Sequence, residues 1–198
     1  MRIAIEINGV LRNTIGKIEQ TYQKFYIDKT DGIDDEDSFK HTMNLPVDSL
    51  ELKNHFSFQT DEELFSFLYE EFPMEIFGHS QSSEYSTFND LNEIYLNLRD
   101  NHDLLIVSDE IGKSKPSSLF FLSKFGCLME KIKFYSNSTI NSMWGEIDVL
   151  LTSNPALLLE HPEDKIVIKY HTEYNKHINS THSITQLNEF EGVLKKIL

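Results

Sequence analysis

The sequence predicts an open α/β fold, and two patterns carry this prediction. Short runs rich in Ile, Leu and Val recur along the chain, and segments with helical spacing separate or follow them. Apolar runs that do not alternate with polar residues are typical of strands buried on both faces of a parallel sheet. Strands and helices in alternation then predict an open α/β sheet. The predicted strands are residues 2–7, 104–107, 132–135, 148–151 and 165–170.

Helical patterns follow the second predicted strand and close the chain. Pro116 suits the first turn of a helix whose apolar residues begin at Leu119, because proline is favoured at that position. Ser183 and Gln186 form a capping-box pattern, which predicts that the last helix begins there. These two helices belong to the same alternation as the strands.

Residues 13–97 break the alternation and predict a mostly helical insertion directly after the first strand. Apolar spacing indicates three amphipathic helices, the second opened by Thr60 with Glu63 and the third by Thr87. The acidic segment 28–37 lies between the first two, and its spacing does not match a calcium-binding loop, so we expect a solvated loop. The predicted division is an α/β core of residues 1–12 and 98–198 with a helical cap of residues 13–97.

Composition limits the class of protein and its partners. The chain has 198 residues and a formal net charge of −14, so nucleic-acid backbones and anionic membranes would be repelled. The single cysteine, Cys127, excludes a disulfide framework and indicates a reducing compartment. No apolar run approaches the length of a membrane span, and no secretory leader pattern opens the chain. We expect a soluble cytoplasmic protein.

Polar side chains stand where three predicted strands end, and open parallel sheets bind ligands at the carboxyl ends of their strands. A lysine precedes the helix that follows the second strand. These candidate site residues are Glu6 and Asn8 before Gly9, Ser108 followed by Asp109, Lys115, and the pair Thr152 and Ser153.

The same segments resemble the haloacid-dehalogenase-like (HAD) phosphatase superfamily. In that superfamily strand one ends in Asp-x-Asp-Gly, strand two in Thr or Ser, a lysine precedes a helix, and strand four ends in two acids. The corresponding segments here are Ile-Glu-Ile-Asn-Gly-Val-Leu, Leu-Ile-Val-Ser, Lys-Ser-Lys-Pro and Asp-Val-Leu-Leu-Thr-Ser-Asn-Pro. The resemblance covers nearly the whole chain and implies a HAD-like Rossmannoid sheet with a helical cap after the first strand. The cap position and the segment Ile-Val-Ile-Lys-Tyr-His-Thr-Glu-Tyr-Asn-Lys resemble the 5′(3′)-deoxyribonucleotidase branch.

By this resemblance, the positions of the superfamily's catalytic aspartates are occupied by other residues in this chain. The superfamily's nucleophile falls on Glu6, its general acid/base on Asn8, and its magnesium-holding acids on Thr152 and Ser153. Glu6 is one methylene longer than aspartate, and a misplacement of about one ångström can cost about a hundredfold in rate. Asn8 has no titratable proton, and two hydroxyls do not supply the carboxylates that Mg²⁺ prefers. These changes predict little or no phosphoryl transfer.

The anion-binding positions of the superfamily are retained in residue type. The resemblance places the phosphate-binding hydroxyl on Ser108 and the phosphate-binding lysine on Lys115, with Lys113 as the nearest rival. Lys115 has a second interpretation, in which it pairs with the Glu6 carboxylate and neutralises it without any ligand.

Three functions remain open at this stage. The first is a catalytically inactive domain without a cofactor, which acts as a structural or protein-binding module in a homo-oligomer or a larger assembly, such as a viral one. The second is a Mg²⁺-dependent 5′-nucleotidase-type phosphatase that uses Glu6 with support from Asp109 or Asp148. The third is a metal-free binder of a phosphorylated small molecule through Ser108 and Lys115.

Overall fold

The computed structural model describes residues 1–28 and 41–197. Apart from Asp28, the predicted acidic loop of residues 28–37 lies outside the described residues. None of the helices in the described ranges is both long enough and apolar enough to cross a membrane.

Six strands form one sheet, and every neighbouring pair is parallel. The order across the sheet is β3-β2-β1-β4-β5-β6, so the first strand lies in the interior. All five predicted strands are present, and the sixth, β6, is a short strand at the sheet edge. The strands are β1 Arg2–Glu6, β2 Asp103–Ser108, β3 Ile132–Phe134, β4 Val149–Thr152, β5 Ile166–Tyr170 and β6 His182–Ile184.

Helices separate and follow the strands. The α-helices are α1 Thr14–Tyr22, α2 Asp61–Ser66, α3 Thr87–Leu98, α4 Ser114–Lys124, α5 Ile140–Glu146, α6 Pro155–Leu159 and α7 Phe190–Ile197. Wide π-helical turns span Gln23–Ile27, Phe67–Glu71 and Met74–Gly78, and 3-10 turns span Leu52–Asn54, Glu173–Asn175 and Leu187–Glu189.

The helix starts agree only in part with the predictions. The Thr60 side chain accepts a hydrogen bond from the Glu63 N–H, at 3.1 Å, and caps α2 as predicted. The predicted start at Ser183 is wrong, because Ser183 lies in β6 and the capping box forms three residues later between Gln186 and Glu189. Both hydrogen bonds of the box are present. The Glu189 N–H donates to the Gln186 side chain, and the Gln186 N–H donates to the Glu189 carboxylate.

The sheet is covered on both faces, as the unbroken apolar runs predicted. On one face Ile3 and Ile5 of β1 pack with residues of α3, α4 and α7, and on the other Ala4 packs with α5 and α6. Side chains alternate along a strand, so one strand can serve both layers. The apolar residues of β1 are fully buried and anchor the strand in the sheet. Glu6 is therefore held at the carboxyl end of this strand, at the edge of the sheet.

The inserted region has its own aromatic cluster. Tyr22 of α1 lies 5.1 Å, between ring centroids, from Tyr26, Phe56 and Phe58. The helix α3, nearly all of which the predicted division places in the cap, contributes Phe88, among others, to the cluster that contains the β1 side chains. The division into core and cap stays a prediction, and α3 packs against the sheet.

Candidate functional site

The ends of β1, β2 and β4 lie side by side and bring the candidate residues together. β1 pairs with β2 through Glu6 and Val107 and with β4 through Ile5 and Leu151. The carboxyl ends of these parallel strands therefore lie at one edge of the sheet, and Glu6, Ser108 and Thr152 are all buried there. The chain then turns at Gly9, whose φ of 73° is in the left-handed region that favours glycine.

Glu6 is a buried acid held by hydroxyl groups. The Tyr135 hydroxyl donates to Oε1 at 2.8 Å, and the Thr152 hydroxyl donates to Oε2. Burial raises the pKa of Glu6 to about 8, and the negative charge of Asp109 adds to the shift, while these hydrogen bonds oppose it. The side chain is therefore mostly protonated at neutral pH, and a hydroxyl, which both donates and accepts hydrogen bonds, can accept one from the protonated carboxyl group.

Asn8 is fixed at both ends of its amide. Its nitrogen donates to Asp109 Oδ1 at 2.7 Å and to the Ser108 hydroxyl at 3.4 Å. Its oxygen accepts from Arg12 Nη2 at 2.5 Å and from the Thr14 hydroxyl at 2.8 Å. An amide with donors and acceptors satisfied in this way positions its neighbours and offers no proton for acid/base catalysis.

The structure does not bring Lys115 to the other site residues. Lys115 is exposed, and its ammonium lies 5.7 Å from the centroid of the Phe134 ring. Within residues 1–28 and 41–197 it forms no ion pair, so the expected pairing with Glu6 is absent. The rival Lys113 is also directed elsewhere and donates to the Glu70 carbonyl at 3.4 Å.

Thr152 and Ser153 are engaged in hydrogen bonds with the chain. Besides donating to Glu6, the Thr152 hydroxyl accepts from the Asn154 N–H at 2.9 Å. The Ser153 hydroxyl donates to the Asn8 carbonyl at 2.9 Å and lies 2.7 Å from the Tyr174 hydroxyl. In the described part of the chain, no group of three or more His, Cys, Asp or Glu side chains is placed so that it could hold a metal ion. This donor set does not fit Mg²⁺, which prefers carboxylate oxygens in octahedral geometry.

Three buried residues of the site were not identified from the sequence. Arg12 is fully buried and forms an ion pair with buried Glu110. The guanidinium also donates to the Phe77 carbonyl at 2.9 Å, so it connects the inserted region to the loop after β2. Tyr135, the third residue, ended a predicted strand, and its hydroxyl was the signal for a polar role.

A cavity of about 220 Å³ lies between the strand ends and the inserted region. The strand ends and their loops provide polar groups, and the inserted region provides mostly apolar side chains. The lining residues are Glu6, Asn8, Gly9, Asp109, Ser153, Asn154 and Tyr174 from the strand ends, and Thr14, Ile15, Ile18, Leu50, Leu52, Leu68, Tyr69 and Phe77 from the inserted region. A larger neighbouring cavity of about 420 Å³ shares Gly9, Thr14, Ile15 and Tyr174 with it.

Comparison with known proteins gives similarity at the level of structure. No family model matches the chain, and no curated protein matches its sequence. A haloacid dehalogenase-like hydrolase from Burkholderia xenovorans LB400 superposes with a TM-score of 0.58 at 9% identity, covering 100% of this chain and 98% of that one. A haloacid dehalogenase-like family hydrolase from Xanthomonas campestris gives 0.56 at 9% identity, with 100% and 95% covered.

A third solved structure extends the same similarity. A HAD-superfamily hydrolase of subfamily IA, variant 1, from Geobacter sulfurreducens PCA has a TM-score of 0.55 at 12% identity, covering 98% of this chain and 95% of that one. At such low identity the likeness concerns the fold, and activities do not follow from it. The chain has the haloacid-dehalogenase-like α/β fold that the residues at its strand ends predicted.

Proposed function

We propose that this HAD-like domain transfers no phosphoryl groups and serves as a structural or protein-binding module, in a homo-oligomer or as a subunit of a larger assembly. One observation carries the proposal. The acid at the nucleophile position, Glu6, is buried under the hydroxyls of Tyr135 and Thr152, and its pKa is raised to about 8.

A carboxylate attacks phosphorus only when it is ionised and free to approach it. At neutral pH the raised pKa keeps Glu6 mostly protonated, and both of its oxygens contact hydroxyls. Ionising it and releasing those contacts would both add to the barrier, and each tenfold loss in rate corresponds to about 1.4 kcal/mol. The environment of Glu6 therefore favours a neutral core side chain over a nucleophile.

The phosphatase alternative, including the 5′-nucleotidase type, requires another acid to support Glu6. Asp148 does not provide it, because Asp148 forms an ion pair with Arg2 at 2.6 Å, at the opposite end of β1. The Arg2 hydrogen bonds lower the pKa of Asp148 to about 2, as expected for a paired carboxylate. Asp109 is then the remaining candidate among the acids that the alternative named.

The third alternative, a metal-free phosphate binder, depends on Ser108 and Lys115 acting together. Ser108 is fully buried beneath the Asn8 amide, and Lys115 lies against Phe134. A phosphate held by these two residues would require Lys115 to leave the aromatic ring and Asn8 to move. This arrangement favours the inactive module over the phosphate binder.

A phosphatase assay with Mg²⁺ tests the proposal. With p-nitrophenyl phosphate and nucleoside 5′-monophosphates as substrates, we expect the native chain to give no more turnover than Glu6→Gln. The exposed Glu160→Gln is the matched control for loss of an acid. Turnover that Glu6→Gln abolishes and Glu160→Gln preserves would overturn the proposal. Sedimentation velocity over a range of protein concentrations then distinguishes a homo-oligomer from a chain that requires a different partner.

A further inference from the structure

The cavity between the strand ends and the inserted region has a composition that suits a ligand other than phosphate. Its apolar wall comes from the inserted region and includes Ile18, Leu68 and Phe77. Its polar side contains Glu6 and Asp109. No lysine, arginine or histidine is among the described residues that line it. An anion placed here would meet carboxyl groups and no positive charge.

Three cations of this region have other partners in the described structure. Arg12 is bound to Glu110, Lys113 donates to the Glu70 carbonyl, and Lys115 lies against the Phe134 ring. The Asp109 carboxylate, in contrast, is hydrogen-bonded by the Asn8 amide alone among the described side chains. Among the described residues, no cation forms an ion pair with this carboxylate at the edge of the cavity.

The two acids that line the cavity differ in their surroundings. Glu6 is buried and hydrogen-bonded by two hydroxyls, whereas Asp109 is exposed, so among the described lining residues Asp109 is the acid that a ligand can reach. The apolar wall excludes water from one side of the cavity, and an ion pair is stronger where water is partly excluded. A volume of about 220 Å³ is smaller than the usual range for drug-sized ligands, which starts at roughly 300 Å³.

We propose that this cavity binds a small organic cation, with its ammonium group at Asp109 and its apolar body against Leu68 and the other apolar side chains of the wall. A primary amine on a single aromatic ring has the required chemistry and size. The inference rests on the proposed function, because a magnesium-dependent phosphatase would place a metal ion and a phosphate at this edge. It also reverses the ligand charge expected from the resemblance.

Calorimetric titration without metal tests the inference. In a low-salt buffer containing EDTA, the ligands are phenethylamine, its neutral analogue 2-phenylethanol, and the anions phenylacetate and phenyl phosphate. We expect phenethylamine to bind most tightly, roughly twofold to fivefold better than 2-phenylethanol, because Asp109 is exposed and solvent screens the ion pair. The two anions should bind more weakly than the alcohol.

Variants separate the charge contribution from the apolar contribution. Asp109→Asn should remove the preference for the amine over the alcohol, while Asp100→Asn, which changes an exposed acid on another surface, should preserve it. Leu68→Ala should weaken the amine and the alcohol together. Equal affinities for the amine and the alcohol, tighter binding of an anion, or no heat from any ligand would overturn the inference.

A parallel titration with Mg²⁺ in place of EDTA keeps this inference distinct from the proposed function. Phenyl phosphate that binds and turns over only with Mg²⁺ would contradict the proposed function. Failure of the amine to bind, without any magnesium-dependent turnover, would contradict this inference alone.

Discussion

At the residue scale, Glu6 illustrates how the environment decides the chemistry of a side chain. It occupies the end of β1, where the HAD resemblance places an attacking aspartate, but the contacts around it are those of a core residue. The Tyr135 and Thr152 hydroxyls satisfy its oxygens, while burial disfavours its charge. A buried acid with a raised pKa links the stability of the fold to pH.

Glu6 should make the protein less stable as pH rises. Its pKa is about 8 in the folded chain and about 4.5 unfolded, so the folded state binds more protons between these values. The penalty is absent below pH 4.5, grows through this window to a limit of about 5 kcal/mol, and is constant above pH 8. Urea denaturation at pH 5 and pH 8.5 should show a larger loss for the native chain than for Glu6→Gln.

The control for this experiment is Glu160→Gln, an exposed acid that should follow the native pH dependence. Other carboxyl groups have lowered pKa values, including Glu75 and Glu189, but they act at more acidic pH and are common to all three proteins. A native chain and a Glu6→Gln variant with parallel pH dependence would contradict the raised pKa.

Tyr135→Phe should destabilise the fold by about 1–3 kcal/mol. The substitution keeps the ring and removes the hydroxyl that donates to Glu6 Oε1, which leaves a buried oxygen without its partner. The matched control is Tyr85→Phe, because Tyr85 is fully exposed. Urea midpoints at pH 7 measure both changes, and a Tyr135→Phe midpoint equal to that of Tyr85→Phe would contradict the assigned hydrogen bond.

At the element scale, the strands were predictable and several contacts were not. The interiors of β1 and β4 are buried on both faces, so Ile3 to Ile5 and Val149 to Leu151 form unbroken apolar runs that identify them as strands. β6 was missed because only Ile184 of its three residues is both apolar and buried. The strand ends placed Glu6 and Thr152 together correctly, since parallel strands end at one edge. The direction of the Lys115 side chain depends on Phe134, a residue distant in sequence, so no local pattern could indicate it.

The turn from β1 to α1 shows why a glycine follows Asn8. Gly9 has a φ of 73°, and a Cβ there would lie 2.0 Å from the Tyr174 hydroxyl and 2.2 Å from the Ser153 hydroxyl. We expect Gly9→Ala to destabilise the fold by about 3 kcal/mol, from left-handed strain and the steric clash together.

Gly145→Ala provides a matched control for this turn. Gly145 lies in α5, its φ is negative, and a Cβ there has no neighbour within 4 Å, so alanine should be neutral or stabilising by about 1 kcal/mol. Thermal unfolding of the two variants measures the difference. Similar unfolding temperatures for both would indicate that the turn does not have the described conformation.

At the scale of the whole molecule, Arg12 links the inserted region to the sheet. Its guanidinium lies between the Phe77 and Phe121 rings, at 5.0 and 5.3 Å from their centroids, and pairs with Glu110. Glu110 Oε2 has no hydrogen-bond partner within the described ranges, so the buried pair is not fully satisfied. Burying two charges is costly, and the gain from such a pair is mainly in specifying one arrangement of the surrounding segments. The pair is therefore well placed to fix the inserted region over the strand ends.

Arg12→Met should destabilise the protein by about 3–5 kcal/mol, because it leaves the Glu110 carboxylate buried without a counter-charge. The double variant Arg12→Met with Glu110→Gln removes the unpaired charge and should recover part of that loss. Arg99→Met, which changes a half-exposed arginine on the surface, should stay within about 0.5 kcal/mol of the native chain. Urea denaturation gives the three stabilities, and limited proteolysis should cut the inserted region of Arg12→Met faster than the region after β2. A single variant as stable as Arg99→Met, or a double variant less stable than the single, would show that the pair does not hold the two parts together.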